Sequence, residues 1–91
     1  MIKIVHEPEN KRAAAYDDAK NIGESTYSKS EKFWIIDHTL VEDGYEGQGI
    51  ASKLVAEVVN QARAANVKIL PLCPYAKGQF EKHPEYRDVL M

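Results

Sequence analysis

With 91 residues, 44% of them hydrophobic and 29% charged, and a formal net charge of −2, the chain has material for one core, so it is read as a single domain over residues 1–91. The ordinary apolar fraction excludes a disordered chain, the single cysteine, Cys73, excludes a disulfide-held mini-protein, and no apolar run approaches the ~20 residues of a membrane span. The slightly acidic balance argues against nucleic-acid binding, which needs a basic footprint, and the lack of a leader pattern makes the cytoplasm the expected compartment.

Ile2–Val5 alternates weakly and predicts a short edge strand, followed by a turn over Glu7–Asn10. Lys11–Tyr16 and Ile22–Ser28 flank a polar turn, Asp17–Asn21, and predict the two arms of a hairpin. A second polar turn, Lys29–Lys32, leads into Phe33–Val41, the strongest strand signal in the chain. Both of its faces are apolar over the first half, which predicts an interior strand covered on both sides. Alternation puts Asp37 and His38 on opposite faces unless a bulge intervenes. His6 reads as surface and Trp34 as core.

Glu42–Gly49 is a loop by glycine content. Ile50, Leu54, Val58 and Ala62 then recur every fourth residue and predict an amphipathic helix from Gly49 to Asn66. Val67–Cys73 is the next strand. A strand, a helix and a strand form a β-α-β unit, so the two strands are expected to be parallel neighbours. Pro71 has no N–H to give, so pairing is expected to fail near it. Pro74 starts a second helix ending near Lys82, where His83-Pro84 stops it. Glu85–Met91 is a tail packed through Tyr86, Val89 and Leu90.

Gly47-Gln48-Gly49-Ile50-Ala51-Ser52 sits at the junction of strand and helix. Glycines there allow a tight turn and close approach to a ligand. The first helical N–H groups lack internal partners and carry partial positive charge, which suits a phosphate or pyrophosphate. The alternative is an ordinary glycine-rich connection. A Walker A loop is excluded because no lysine follows Gly49. A dinucleotide loop is excluded because Ser52 stands where its third glycine belongs.

Glu46-Gly47-Gln48-Gly49-Ile50-Ala51 resembles the Gln/Arg-x-x-Gly-x-Gly/Ala signature of the GNAT acetyltransferases, departing from it at Glu46. Together with His38-Thr39-Leu40-Val41, Cys73-Pro74-Tyr75 and His83-Pro84-Glu85-Tyr86, it is similar to the small YjdJ-type subgroup, over about Phe33 to Leu90. The resemblance implies an α+β reduced GNAT fold. Its sheet is mostly antiparallel, with two splayed parallel central strands and two helices. It further implies acetyl-CoA as cofactor, its pyrophosphate on Gly47, Gln48, Gly49, Ile50, Ala51 and Ser52 and its pantetheine against the backbone of Leu40 and Val41. The activity implied is acetyl transfer to an amine, from a small molecule or a protein, directly or through Cys73. The alternatives are a module that holds CoA or acyl-CoA without turnover, and an interaction domain without cofactor.

Cys73 could accept the acetyl group as a thiolate or pack as a small hydrophobe. His38 is the candidate base or a core histidine. Tyr75 could protonate the departing CoA thiolate or pack. Asp37 and Thr39 are assigned to the fold. Glu46 would repel a pyrophosphate if near it, and is expected to face solvent. Three histidines and one cysteine without ligand spacing predict no metal site. A monomer or weak dimer is expected, paired through an exposed strand edge.

Overall fold

The computed structural model describes all residues, Met1–Met91. Five strands form one sheet in the order β1-β2-β3-β4-β5. They are β1 (Ile2–Glu7), β2 (Arg12–Asp17), β3 (Lys20–Lys29), β4 (Phe33–Val41) and β5 (Lys68–Pro71). Helix α1 (Ile50–Ala65) links β4 to β5, and α2 (Pro74–Lys82) follows. Two 3-10 turns occupy Pro8–Asn10 and Pro84–Asp88. No helix is long and apolar enough to cross a membrane.

The first four strands pair antiparallel as a meander, and β4 pairs β5 in parallel. The hairpin turn between β2 and β3 is tighter than the composition suggests. Asp17 pairs Lys20 directly, and Asp18 takes a left-handed φ of 53°, the conformation two-residue hairpin loops demand. Both α1 boundaries follow the pattern read from the sequence, with Gly49 before it and Asn66, at φ 59°, closing it. β5 is shorter than Val67–Cys73 and occupies the outer position in the sheet. Its far edge meets only the tail, through a bridge between Ile69 and Leu90.

One face of the sheet packs on α1. Ala13, Ala15, Tyr27, Trp34, Ile36 and Ile69 meet Ile50, Leu54, Val55, Val58, Val59 and Ala62 in one cluster. Tyr27 and Trp34 stack with centroids 4.4 Å apart. His6, expected at the surface, is half-buried and shares a 2.6 Å hydrogen bond with the Tyr27 hydroxyl. That contact arises from strand register, which no local pattern reveals.

The opposite face corrects the expectation that β4 is covered on both sides. Phe33 and Ile35 are only partly buried there, and Asp37, His38 and Leu40 are exposed. Polar side chains fill the face instead. Arg12 donates from Nε to Glu7 Oε1 and from Nη1 to Glu24 Oε1, both at 2.7 Å. Tyr16 donates its hydroxyl proton to Glu7.

A bulge also intervenes at Asp37. Thr26 pairs His38 and Tyr27 pairs Ile36, so Asp37 has no partner on β3. Asp37 accepts from Ser28 Oγ at 2.8 Å, and His38 lies 3.8 Å from Glu24. Both side chains therefore stand on the open face, not on opposite faces. Beyond the bulge the alternation is reset, and Thr39 and Val41 turn toward α1: Thr39 meets buried Ser25, and Val41 packs on the core.

Candidate active site

Two interruptions of hydrogen bonding meet at the C-terminal end of β4. The first is in the sheet. Pairing of β4 with β5 ends at Ile36 opposite Pro71, and the amides of Leu72 and Cys73 both turn back to the Ile36 carbonyl, at 3.2 and 3.1 Å. From Asp37 to Val41, β4 has no partner on that side, as the position of Pro71 predicts. Glu42 donates to the Ile22 carbonyl at 2.8 Å, and strand alternation then directs the backbone groups of His38 and Leu40 to β3. The groups of Thr39 and Val41 consequently face the gap.

The second interruption is the helix start. Lys53 makes the first bond back to the Gly49 carbonyl, at 3.1 Å, and no side chain caps the helix. The amides of Ile50, Ala51 and Ser52 are thus unspent, at the positive end of a 16-residue helix. Gly44, Gly47 and Gly49 all have positive φ, and a Cβ at Gly47 or Gly49 would meet nothing within 4 Å. The loop is conformationally glycine-dependent, and the space before it is open.

A pocket of about 230 Å³ brings Val41, Gly47, Gly49, Ile50, Ala51 and Tyr75 together, with Tyr45 and Glu46 completing its wall. Leu40 lies outside it, 47% exposed on the open face. Gln48 and Ser52 do not line it either, Gln48 being exposed and Ser52 half-buried in the first turn of α1. Tyr45 anchors the loop by donating to Asp17 Oδ2 at 2.7 Å. Glu46 is exposed, as expected, yet stands at the pocket wall. A larger cavity of about 670 Å³ lies between β5, α2 and the tail, away from the glycine loop.

Cys73 is 7% exposed and caps the N-terminus of α2. Burial pushes its thiol up, but donors outweigh it: the Ala76 amide, the Thr39 hydroxyl, and the amides of Tyr75 and Thr39 hold the thiol below the usual cysteine range. Tyr75, 40% exposed, has its phenol pushed up by burial and keeps its proton. His38 is not brought to Cys73. It stands on the open face beside Glu24, whereas Thr39 is on the other face, its hydroxyl 3.1 Å from Ser25 Oγ. Thr39 is the residue that sequence reasoning missed. Its signal was the bulge, which is visible only once β3 and β4 are aligned. No group of three or more His, Cys, Asp or Glu side chains could hold a metal ion.

These residues can bind an anion on helix amides and pair an extended group along a free strand edge, and Cys73 stands where that edge becomes free. The sequence pattern of the GCN5-related N-acetyl-transferase family matches residues 12–89. Among solved structures, the chain is similar to the solution structure of a GCN5-like protein from Staphylococcus aureus. The two are 36% identical with a TM-score of 0.77, over 98% of this chain and 87% of that one. No curated protein matches the chain.

Proposed function

The chain belongs to the GCN5-related N-acetyltransferases, and from that premise we propose that it takes acetyl-CoA as donor and moves the acetyl group to an amine by way of Cys73. The residues present fit that donor: uncapped amides, open space before the glycines, and an unpaired edge on β4. The amides of Ile50, Ala51 and Ser52 would hold its pyrophosphate. The backbone of Thr39 and Val41 would pair its pantetheine arm. When bound, acetyl-CoA supplies an activated acetyl group.

Cys73 receives that group as a thiolate, its sulfur bonding the acetyl carbon as the bond to the CoA sulfur breaks. Tyr75, at the pocket and still protonated, gives a proton to the departing thiolate. The acceptor amine then attacks the acetyl carbon, the bond to Cys73 breaks, and the thiolate returns. The amine's proton passes to solvent, because His38 stands on the open face beside Glu24 and away from Cys73. The observation that carries this reading is the place of Cys73: its amide and that of Leu72 turn back to the Ile36 carbonyl at 3.1 and 3.2 Å, where β4 and β5 part, and Tyr75 of the pocket follows two residues on.

An amide-resolved titration with acetyl-CoA, with desulfo-CoA as control, tests it. Perturbation at Ile50, Ala51, Ser52, Thr39 and Val41 with both ligands, and a Cys73 acetyl adduct by mass with acetyl-CoA alone, is the expected result. Perturbation with turnover but no adduct rejects the relay and leaves direct attack by the amine. Perturbation without turnover on any amine identifies a binding module, and no perturbation at millimolar ligand sinks the donor assignment.

A further inference from the structure

The loop between β4 and α1 has few bonds of its own. Glu42 donates to the Ile22 carbonyl at 2.8 Å, and the Tyr45 amide to the Glu42 carbonyl at 3.2 Å. The next backbone bond is that of Lys53 to Gly49, so the backbone of Glu46, Gly47 and Gln48 makes none. Gly47 and Gly49 hold φ of 82° and 74°, a region that glycine leaves as readily as it enters. Left to itself, this stretch would sample many shapes, and a ligand that needed one of them would lose affinity in ordering it.

One side-chain hydrogen bond holds the loop just before that stretch. The Tyr45 hydroxyl donates to Asp17 Oδ2 at 2.7 Å, across 28 residues of chain. The only other side-chain link from the loop is the Lys20–Glu42 ion pair, at 3.6 Å between exposed groups, and such pairs contribute little. Asp17 ends β2 and pairs Lys20 across the two-residue turn into β3, so its backbone is fixed by local geometry. Tyr45 packs on the core and lines the small pocket with Gly47, Gly49 and Ile50, whereas Asp17 is outside that pocket.

We propose that Asp17 and Tyr45 are positioning residues for the donor: Asp17, at the β2–β3 turn, fixes the Tyr45 hydroxyl, and Tyr45 holds Glu46–Gly49 in the shape that receives the pyrophosphate. The inference rests on the reading of the glycine loop as the donor's phosphate site. Neither residue touches the reacting atoms, and both keep their protonation states throughout. The hydroxyl is spent on Asp17, so Tyr45 offers the donor the side of its ring, and the phosphates are left to the helix amides. Packing alone would be served as well by phenylalanine, which has no hydroxyl to place.

The test measures binding of CoA and of pantetheine, which lacks the phosphates, by calorimetry and amide-resolved NMR. Tyr45→Phe keeps the ring and removes the donor. It is expected to weaken CoA about fivefold, the size of one ordinary hydrogen bond, while pantetheine still perturbs Thr39 and Val41 as in the wild type. Asp17→Ala should match it, and the double variant should be no weaker than either single one, as coupled partners require. Asp17→Asn, whose amide oxygen still accepts from Tyr45, should bind CoA close to the wild type. If Asp17→Ala does not fold, Tyr45→Phe and Asp17→Asn carry the test. Wild-type CoA affinity in the folded Tyr45→Phe variant overturns the inference and leaves the phosphate site standing. Equal weakening of CoA and pantetheine also overturns it, because the fold rather than the loop has then changed. A wild type that binds neither ligand at millimolar concentration sinks the phosphate site itself, and with it any positioning role.

Discussion

The meander of β1 to β3 and the unit running from β4 through α1 and β5 to α2 solve the same backbone problem differently. In the meander each strand pairs its neighbour along its length, and short turns keep every contact local. In the second unit the accounts are left open: β4 and β5 part at Pro71, and both α1 and α2 begin without a side-chain cap. The meander stabilises; the second unit keeps hydrogen-bonding capacity that a ligand can use. Binding capacity in so small a fold is concentrated where regular pairing stops.

That contrast can be broken by substitution. The largest effect should come from Leu54→Ala, in α1 at the centre of the core. Leu54 is fully buried, and its truncation is expected to cost about 2–5 kcal/mol in denaturant unfolding, affecting both halves together. Gly23→Ala acts in the meander. Its Cβ would stand 2.9 Å from the Leu40 carbonyl oxygen and 3.4 Å from both Leu54 and Val41, so a loss of about 1–3 kcal/mol is expected. Donor affinity per folded molecule, measured by calorimetry, should fall by less, although Val41 also lines the pocket. If it falls with stability, the two halves are not separable.

Gly49→Ala should show the reverse. Its Cβ meets open space, but φ is 74°, so unfolding should change by only about 1 kcal/mol. Affinity for CoA should fall about tenfold or more, because the helix start is distorted and its approach blocked. Equal losses in both measurements would remove glycine's special role there.

A pH scan sharpens the comparison on the meander side. Hydrogen bonds from Tyr16 and Arg12 hold the Glu7 carboxyl below the ordinary glutamate value of 4.5. A carboxyl lowered by folding stabilises above its unfolded pKa, and that contribution is lost as pH falls through the folded pKa. Stability should therefore decline below about pH 4.5, and Arg12→Met should flatten the decline while costing about 1–2 kcal/mol at pH 7. The smallest effect is expected at Gln79, whose buried Oε1 has no partner. Gln79→Leu should be neutral or stabilising by up to about 1 kcal/mol in thermal unfolding.

The second unit was the more legible half in the sequence. The bounds of β4, the span of α1 and the end of β5 pairing each have a local cause, in a run of strand formers, a four-residue repeat and a proline. The glycine loop and Cys73 were visible for the same reason. The open face was not, because the Glu7–Arg12–Glu24 cluster joins three strands, and only register brings them together. Nor was Thr39. Period-two reading along Phe33–Val41 assigns the odd positions one face throughout, and a single extra residue breaks that rule without leaving a compositional trace. His6 and its bond to Tyr27 were hidden in the same way.

Asp37 consequently counts as an extra place in the strand more than as a side chain. Replacing it leaves the count of residues intact, and Thr39 and Val41 keep their orientation. Deleting it only heals the bulge: Ile36 opposite Tyr27 and His38 opposite Thr26 then follow each other in regular alternation, and Thr39 and Val41 still look toward α1. A one-residue gap at the bulge is therefore milder for this strand than one beyond it, between Thr39 and Val41, which would reverse the groups that look into the gap.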